Sequence, residues 1–261
     1  METLKDLVAD CRGAGGAVIE TAARTAPYTY DEFVPNVWKS GNLFGHYGGH
    51  PGAEITVVAG PKNATSEETS QRIDAAEPLF AILGATLLGA TVRLQPVEPV
   101  ESRALVLPAG WVDRYEITPQ CTRIAYGGPP TEPDVVHFEE EMWSENPIEP
   151  PERVEADDPA LIDDSGSYSH RELLVTAEEL VTEYDLDAGS TVGLDGPVTE
   201  PGAVVALLAA LLAEATLVLV ESESERETAE TDLLVTAVES EQERAERIEM
   251  LTERLRDTRR A

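Results

Sequence analysis

The chain has 261 residues, 42% of them hydrophobic, which is enough for a sizeable core and too many for a disordered polymer. Asp and Glu number 50 against 19 Lys and Arg, a formal net charge of -31, and such a field repels nucleic-acid backbones and anionic membrane surfaces. The acids are spread along the whole sequence, the pattern of a protein kept soluble in very high salt, where counterions screen its self-repulsion.

Residues 3 to 23 carry a helical pattern (Leu4, Leu7, Val8, Cys11) interrupted by Gly13, Gly15 and Gly16; no strand precedes these glycines and no GKS/T follows, so they read as a helix break rather than a phosphate loop. Thr29 with Glu32 forms a capping box, and a helix with Phe33, Val37 and Trp38 follows. A glycine-rich turn over residues 48–52 leads into a strand at 54–58. Leu79 to Leu88 reads as an apolar helix and Thr91 to Leu94 as a short strand, with further short strands at Ala104–Leu107 and Arg123–Tyr126. The run from Val204 to Val220 contains Glu214 and lacks basic flanks, so it reads as a buried helix and strand rather than a membrane span. Residues 239 to 258 show one apolar face (Ile248, Leu251, Leu255) and predict a C-terminal helix. The N-terminus has no apolar signal core, which implies a cytoplasmic protein.

The second half repeats the first. Tyr168-Ser169 with Glu172 reproduces Tyr28-Thr29 with Glu32, and Gly189 to Pro197 parallels Gly52 to Pro61. LFAILGATLLGATVRL from Leu79 aligns with VVALLAALLAEATLVL from Val204, identical at seven of 16 positions. The expected architecture is therefore α/β, two similar lobes covering 1–155 and 156–261, each a mostly parallel sheet flanked by helices.

Candidate chemistry is sparse. His46 and His50 have metal-like spacing, but Gly48 and Gly49 between them disfavour the helix that would aim both at one ion, and no metal is expected. Cys11 and Cys121 belong to no CxxC or Cys/His motif, which argues against a disulfide scaffold or structural zinc. His170 adjoins Ser169, but that serine is committed to a helix cap and no G-x-S-x-G elbow is present. Glu139, Glu140 and Glu141 read as a solvated face, and Trp38, Trp111 and Trp143 as core or interface anchors.

The stretch DDPALI…SG…YSHRELLVTAEELV…DAGSTVGL…EPGAVVALLAALLAEATLVLV resembles the phosphate-loop region of the adenylate-forming (AMP-binding) superfamily, which includes the acyl-CoA and acetyl-CoA synthetases. Tyr28-Thr29-Tyr30 and the segment Gly84 to Leu94 are similar to that family's opening. The resemblance implies the fold of a synthetase N-terminal domain, in a truncated, degenerate, haloarchaeal form. Its T-S-G-T-T-G-x-P-K-G loop has shrunk here to Asp163-Asp164-Ser165-Gly166-Ser167-Tyr168, of which Ser165 and Gly166 match the motif's S-G as a vestigial phosphate-loop position. The threonines, second glycine and lysine that cradle phosphate have no counterpart. From Glu152 to Glu172 seven acids face two bases, a net of −5 where a triphosphate would dock, so the cleft near Ser165 and Gly166 is expected to be narrowed or acid-lined. The adenine-binding Y-G-x-T-E motif, the ribose-binding aspartate and the catalytic lysine of the family find no match before Ala261.

These departures predict a protein with no catalytic residues and no cofactor, acting by binding a partner protein or small ligand. A full-length acyl-CoA synthetase or a second copy is the expected partner; the alternative is a half-enzyme completed by a second polypeptide. The charge also carries a prediction. Self-repulsion grows as the Debye length rises from about 3 Å at 1 M salt to about 30 Å at 0.01 M. The thermal midpoint should fall steeply on dialysis from molar to millimolar KCl, and an unchanged midpoint would refute salt adaptation.

Overall fold

The computed structural model describes residues 1–22, 24–67, 72–220, 231–236 and 254–256. Two sheets share the strands. The larger has seven, built from β3 (Glu54–Val57), β4 (Thr91–Arg93), β5 (Ala104–Pro108), β6 (Thr122–Tyr126), β7 (Val136–His137), β8 (Pro159–Asp163) and β9 (Gly166–Ser169), in the order β7-β6-β5-β3-β4-β8-β9. The smaller has five, β1 (Ala17–Glu20), β2 (Tyr28–Thr29), β10 (Thr191–Asp195), β11 (Thr216–Leu219) and β12 (Leu233–Thr236), in the order β12-β10-β11-β1-β2. All neighbours are parallel except the final hairpin strand of each sheet, β9 against β8 and β2 against β1.

The internal repeat is present as strand–helix–strand units. β3, α3 (Glu77–Leu87) and β4 correspond to β10, α6 (Pro201–Leu212) and β11, each with its two strands paired in parallel. The match reaches the helix ends. Gly89 and Glu214 both take the left-handed conformation, at φ 71° and 53°, and the next residue, Ala90 or Ala215, closes back onto Ala85 or Ala210. The capping boxes also correspond: the Glu32 carboxylate accepts the Thr29 amide at 3.0 Å to open α2 (Tyr30–His46), and Glu172 accepts the Ser169 amide at 2.7 Å to open α5 (His170–Glu183).

The hydrogen bonding does not follow a line between residues 155 and 156. β1 and β2, from the first half, extend the sheet of the second half through β11, while β8 and β9, from the second half, extend the first half's sheet through β4. Helix α3 is buried along its whole length, and α6 from Pro201 to Leu211. A helix with no polar face must be covered on every side. α5 packs against α6 beside β10, β11 and β8, α2 packs against α3 beside β3, β4 and β5, and a single core runs through both halves. Helices α2 and α3 meet where a Cβ on Gly84 would lie 2.7 Å from Gly41 N and from Ser40 Cβ, so only glycine permits the approach.

Two expectations change. The pattern over residues 3 to 23 is not one helix: α1 (Leu4–Asp10) ends before the glycines, and Ala17–Glu20 is strand β1, whose parallel partner is β11. Trp38 and Trp111 are buried as expected, but Trp143, at the end of α4 (Phe138–Ser144), is 71% exposed. Of the expected C-terminal helix, Ile248 and Leu251 lie outside the described residues, while Leu255, in a helical turn, is buried. Among the described residues no helix is long and apolar enough to cross a membrane.

Helix α1 is clamped by residues on either side of the 155/156 division. Lys5 Nζ donates to the carbonyls of Pro150 and Glu152, and the Leu4 amide donates to His170 Nδ1 at 3.2 Å. His170 is fully buried, and because Nδ1 accepts, its proton sits on Nε2, which has no partner among the described residues. Burial holds its pKa down at about 4 from 6.5, against the opposing pull of the Asp158 and Asp6 carboxylates. The folded pKa lies below the unfolded one, so this contribution is complete above pH 6.5 and is lost as pH falls towards 4. Each pH unit in that window removes about 1.4 kcal/mol, about 3 kcal/mol in all. Denaturant unfolding of the wild type and of His170→Gln between pH 7 and 4 should show that extra loss in the wild type alone; parallel curves would overturn the assignment.

Candidate functional site

The two residues singled out in the sequence, Ser165 and Gly166, sit at the turn of the β8–β9 hairpin at the edge of the larger sheet. Only Asp164 and Ser165 separate the two strands, so no loop projects. Asp163 closes the turn from inside. Its Oδ1 accepts the amides of Ser165 at 2.7 Å and Gly166 at 3.1 Å, and its Oδ2 accepts the Tyr168 hydroxyl at 3.0 Å and faces Arg256 at 3.4 Å. The two amides that match the phosphate motif are thus occupied by the chain's own carboxylate, in an Asx turn.

Beneath the hairpin lies a cavity of about 100 Å³, walled by Arg93, Gln95, Asp163, Asp164, Glu200 and Arg256 among others. Gln95 Nε2 donates across it to the Thr199 carbonyl at 3.0 Å, joining the two sheets. Its arginines are engaged: Arg93 forks onto Glu54 at 2.8 and 3.3 Å, a pairing that raises its pKa, and Arg256 sits on Tyr168 and Asp163. Sites for small organic ligands run to about 300–1,000 Å³. This cavity is smaller than that, and its three acids stand beside two arginines.

Open parallel sheets take ligands outside the carboxyl ends of their strands, where strand order reverses. Both such positions are filled. In the larger sheet the reversal lies between β3 and β5, and Trp111 occupies it so closely that a Cβ on Gly60 would come within 2.4 Å of the indole. Tyr126 secures the same spot, its hydroxyl accepting the Gly60 amide at 2.8 Å. In the smaller sheet the reversal lies between β10 and β12, and the fully buried Asp195 ends β10 there, paired with Arg72 at 2.5 Å. Sequence reasoning missed Asp163, Asp195 and their arginines. The available signals were Asp163 two residues before a Ser-Gly turn and an aspartate closing an apolar strand ahead of Gly196.

The other candidates stand apart. His46 Nε2 lies 3.1 Å from Glu145, and His50 is exposed with Nδ1 2.9 Å from the Pro51 carbonyl. Among the described residues no group of three or more His, Cys, Asp or Glu is placed to hold a metal. Ser169 caps α5 through the Glu172 amide. Glu140 and Glu141 are exposed, but Glu139 turns inward, where its Oε1 accepts the Gly127 amide at 2.8 Å.

No protein-family model matches the sequence, and no curated protein matches it. Solved structures do match. Apo MatB from Rhodopseudomonas palustris superposes with a TM-score of 0.67 at 15% identity, covering 86% of this chain and 46% of MatB. A fatty acyl CoA synthetase from Mycobacterium tuberculosis gives 0.67 at 11%, covering 87% and 47%. The anthranilate CoA ligase AuaEII in complex with anthranoyl-AMP gives 0.67 at 13%, covering 85% and 46%. This chain therefore spans just under half the length of those proteins, and its α/β fold of mostly parallel sheets flanked by helices is that of the N-terminal domain of acyl-CoA synthetases.

Proposed function

We propose that this chain is a non-catalytic, acyl-CoA synthetase-like protein of the cytoplasm that acts by binding, with a full-length synthetase or a second copy of itself as partner, or a small ligand. The observation that carries the proposal is the self-closed hairpin. Phosphate binding by a loop needs free backbone amides, and those of Ser165 and Gly166 are spent on Asp163. A phosphate brought there would also meet Asp163 and Asp164 in a cavity of about 100 Å³. Near a protein surface, like unit charges about 4 Å apart repel by about 4 kcal/mol, more than a few amide hydrogen bonds return. The even spread of acids along the chain supports a salt-adapted, haloarchaeal origin.

The alternative reading is a half-enzyme of an acyl-CoA synthetase whose remaining motifs come from a second polypeptide. The two readings part on whether adenylation can proceed without the loop.

Two measurements test the proposal. ATP–pyrophosphate exchange in high salt, with acetate, longer acids and amino acids, should not exceed a heat-killed control, and clear exchange by this chain alone would sink the non-catalytic reading. Replacing Asp163→Ala strips acceptors from two amides and a tyrosine hydroxyl at once. It should lower stability by about 1–3 kcal/mol in denaturant melts. A neutral result would show that the carboxylate does not hold the hairpin closed.

A further inference from the structure

The glycines at 13, 15 and 16 set α1 apart mechanically. They join α1 to β1, with Gly13 and Gly16 at φ 88° and 92°, and a Cβ added at any of the three would meet no atom within 4 Å. A joint of glycines in open space bends at little cost. Helix α1 can therefore move without disturbing β1, which β11 holds in the smaller sheet.

What keeps α1 in place is an apolar seat and polar anchors. Leu4, Leu7 and Val8 are buried where α1 meets α2, α3 and α6. Lys5 Nζ donates to the Pro150 and Glu152 carbonyls, and the Leu4 amide donates to His170 Nδ1 at 3.2 Å. The last contact requires an imidazole nitrogen without a proton. In the imidazolium both ring nitrogens are donors, so Nδ1–H would face the Leu4 N–H, and a charge would stand in a fully buried position. The charged groups facing the ring are the carboxylates of Asp6, on α1, and Asp158, in the turn before β8. Helix α6, packed against α5, carries none, and Arg171 on α5 itself is exposed and paired with Asp157. The two carboxylates favour the imidazolium, but burial outweighs them.

We propose that α1 is an acid-released latch: it swings on the glycine joint at residues 13–16 and is held shut by neutral His170, so that protonation of the imidazole frees it while both sheets stay folded. The proposal does not rest on the reading of the β8–β9 hairpin.

The sign follows from the two states of the ring. Shut, it takes its proton at about 4; opened to water, it returns to 6.5, so acid between those values favours the open form. That difference raises the open fraction of α1 about thirtyfold between pH 7.5 and pH 5. Hydrogen exchange read by mass spectrometry, corrected for the intrinsic pH dependence of amide exchange, measures it in the salt that keeps the protein folded. Residues 4–10 should open about thirtyfold more at pH 5, while β10 and β11 keep their protection. His170→Gln, which keeps an acceptor for the Leu4 amide but takes no proton, should show no such rise. Cys11, only 3% exposed at the end of α1, gives a second readout. In a Cys121→Ser background a pyridyl disulfide, which labels thiols in acid, should reach it at pH 5 faster than when His170→Gln is added. Loss of protection in α1 and β10 together, an equal rise in His170→Gln, or no rise in the wild type would each overturn the proposal. If His170→Gln fails to fold, the comparison of α1 with β10 in the wild type decides.

Discussion

A helix apolar on every face cannot stand at a surface, and this chain contains two of them. α3 is buried along its whole length and α6 from Pro201 to Leu211, so each must be sandwiched rather than laid on a sheet. One sheet per repeat covers only one side, and a second helix covers the other, α2 against α3 and α5 against α6. The halves also exchange hairpins: the β1–β2 hairpin of the first half completes the second half's sheet, and the β8–β9 hairpin of the second half completes the first's. Two copies of one supersecondary unit thereby become a single body with one continuous core.

That exchange fixes what the candidate site can be. The β8–β9 hairpin serves as the outer edge of the larger sheet while occupying the position that the resemblance assigns to a phosphate loop. Tight pairing from Asp163↔Gly166 to Pro159↔Ser169 leaves two residues for the turn, and Asp163 folds back over their amides. Carboxylates of the chain also meet its own cations at the end of β10, where Asp195 meets Arg72, and at the start of α3, where Glu77 meets Lys62. Places where an open α/β sheet presents amides and helix ends to an anion are occupied by acids already inside the chain. A molecule of charge -31 has acids to place, and partly buried positions opposite Arg or Lys are where they are best compensated.

Many of these features are legible in the sequence. The capping boxes at Thr29/Glu32 and Ser169/Glu172, the glycine-bounded strands and the twin apolar segments from Leu79 and Val204 are local signals, read from a few adjacent residues, and each matches an element. Periodicity fails at residues 17 to 20. Ala17-Val18-Ile19-Glu20 continues the apolar spacing of α1, and only pairing with β11, some two hundred residues away, makes it a strand. Trp143 fails differently. An aromatic on a short helix reads as a core anchor, yet α4 spends Phe138 and Met142 on the core and leaves the indole outside.

By itself the sequence determined the class of fold, the repeat and the charge, because capping, hydrophobic period and composition act over short spans. The tertiary structure alone decided which sheet each hairpin joins, that Asp163 rather than solvent satisfies the Ser165 and Gly166 amides, and that Glu77 and Glu139 converge on Lys62. Those outcomes depend on pairings between residues far apart in the chain, Glu139 with Lys62 or Asp195 with Arg72, and no local pattern carries that information.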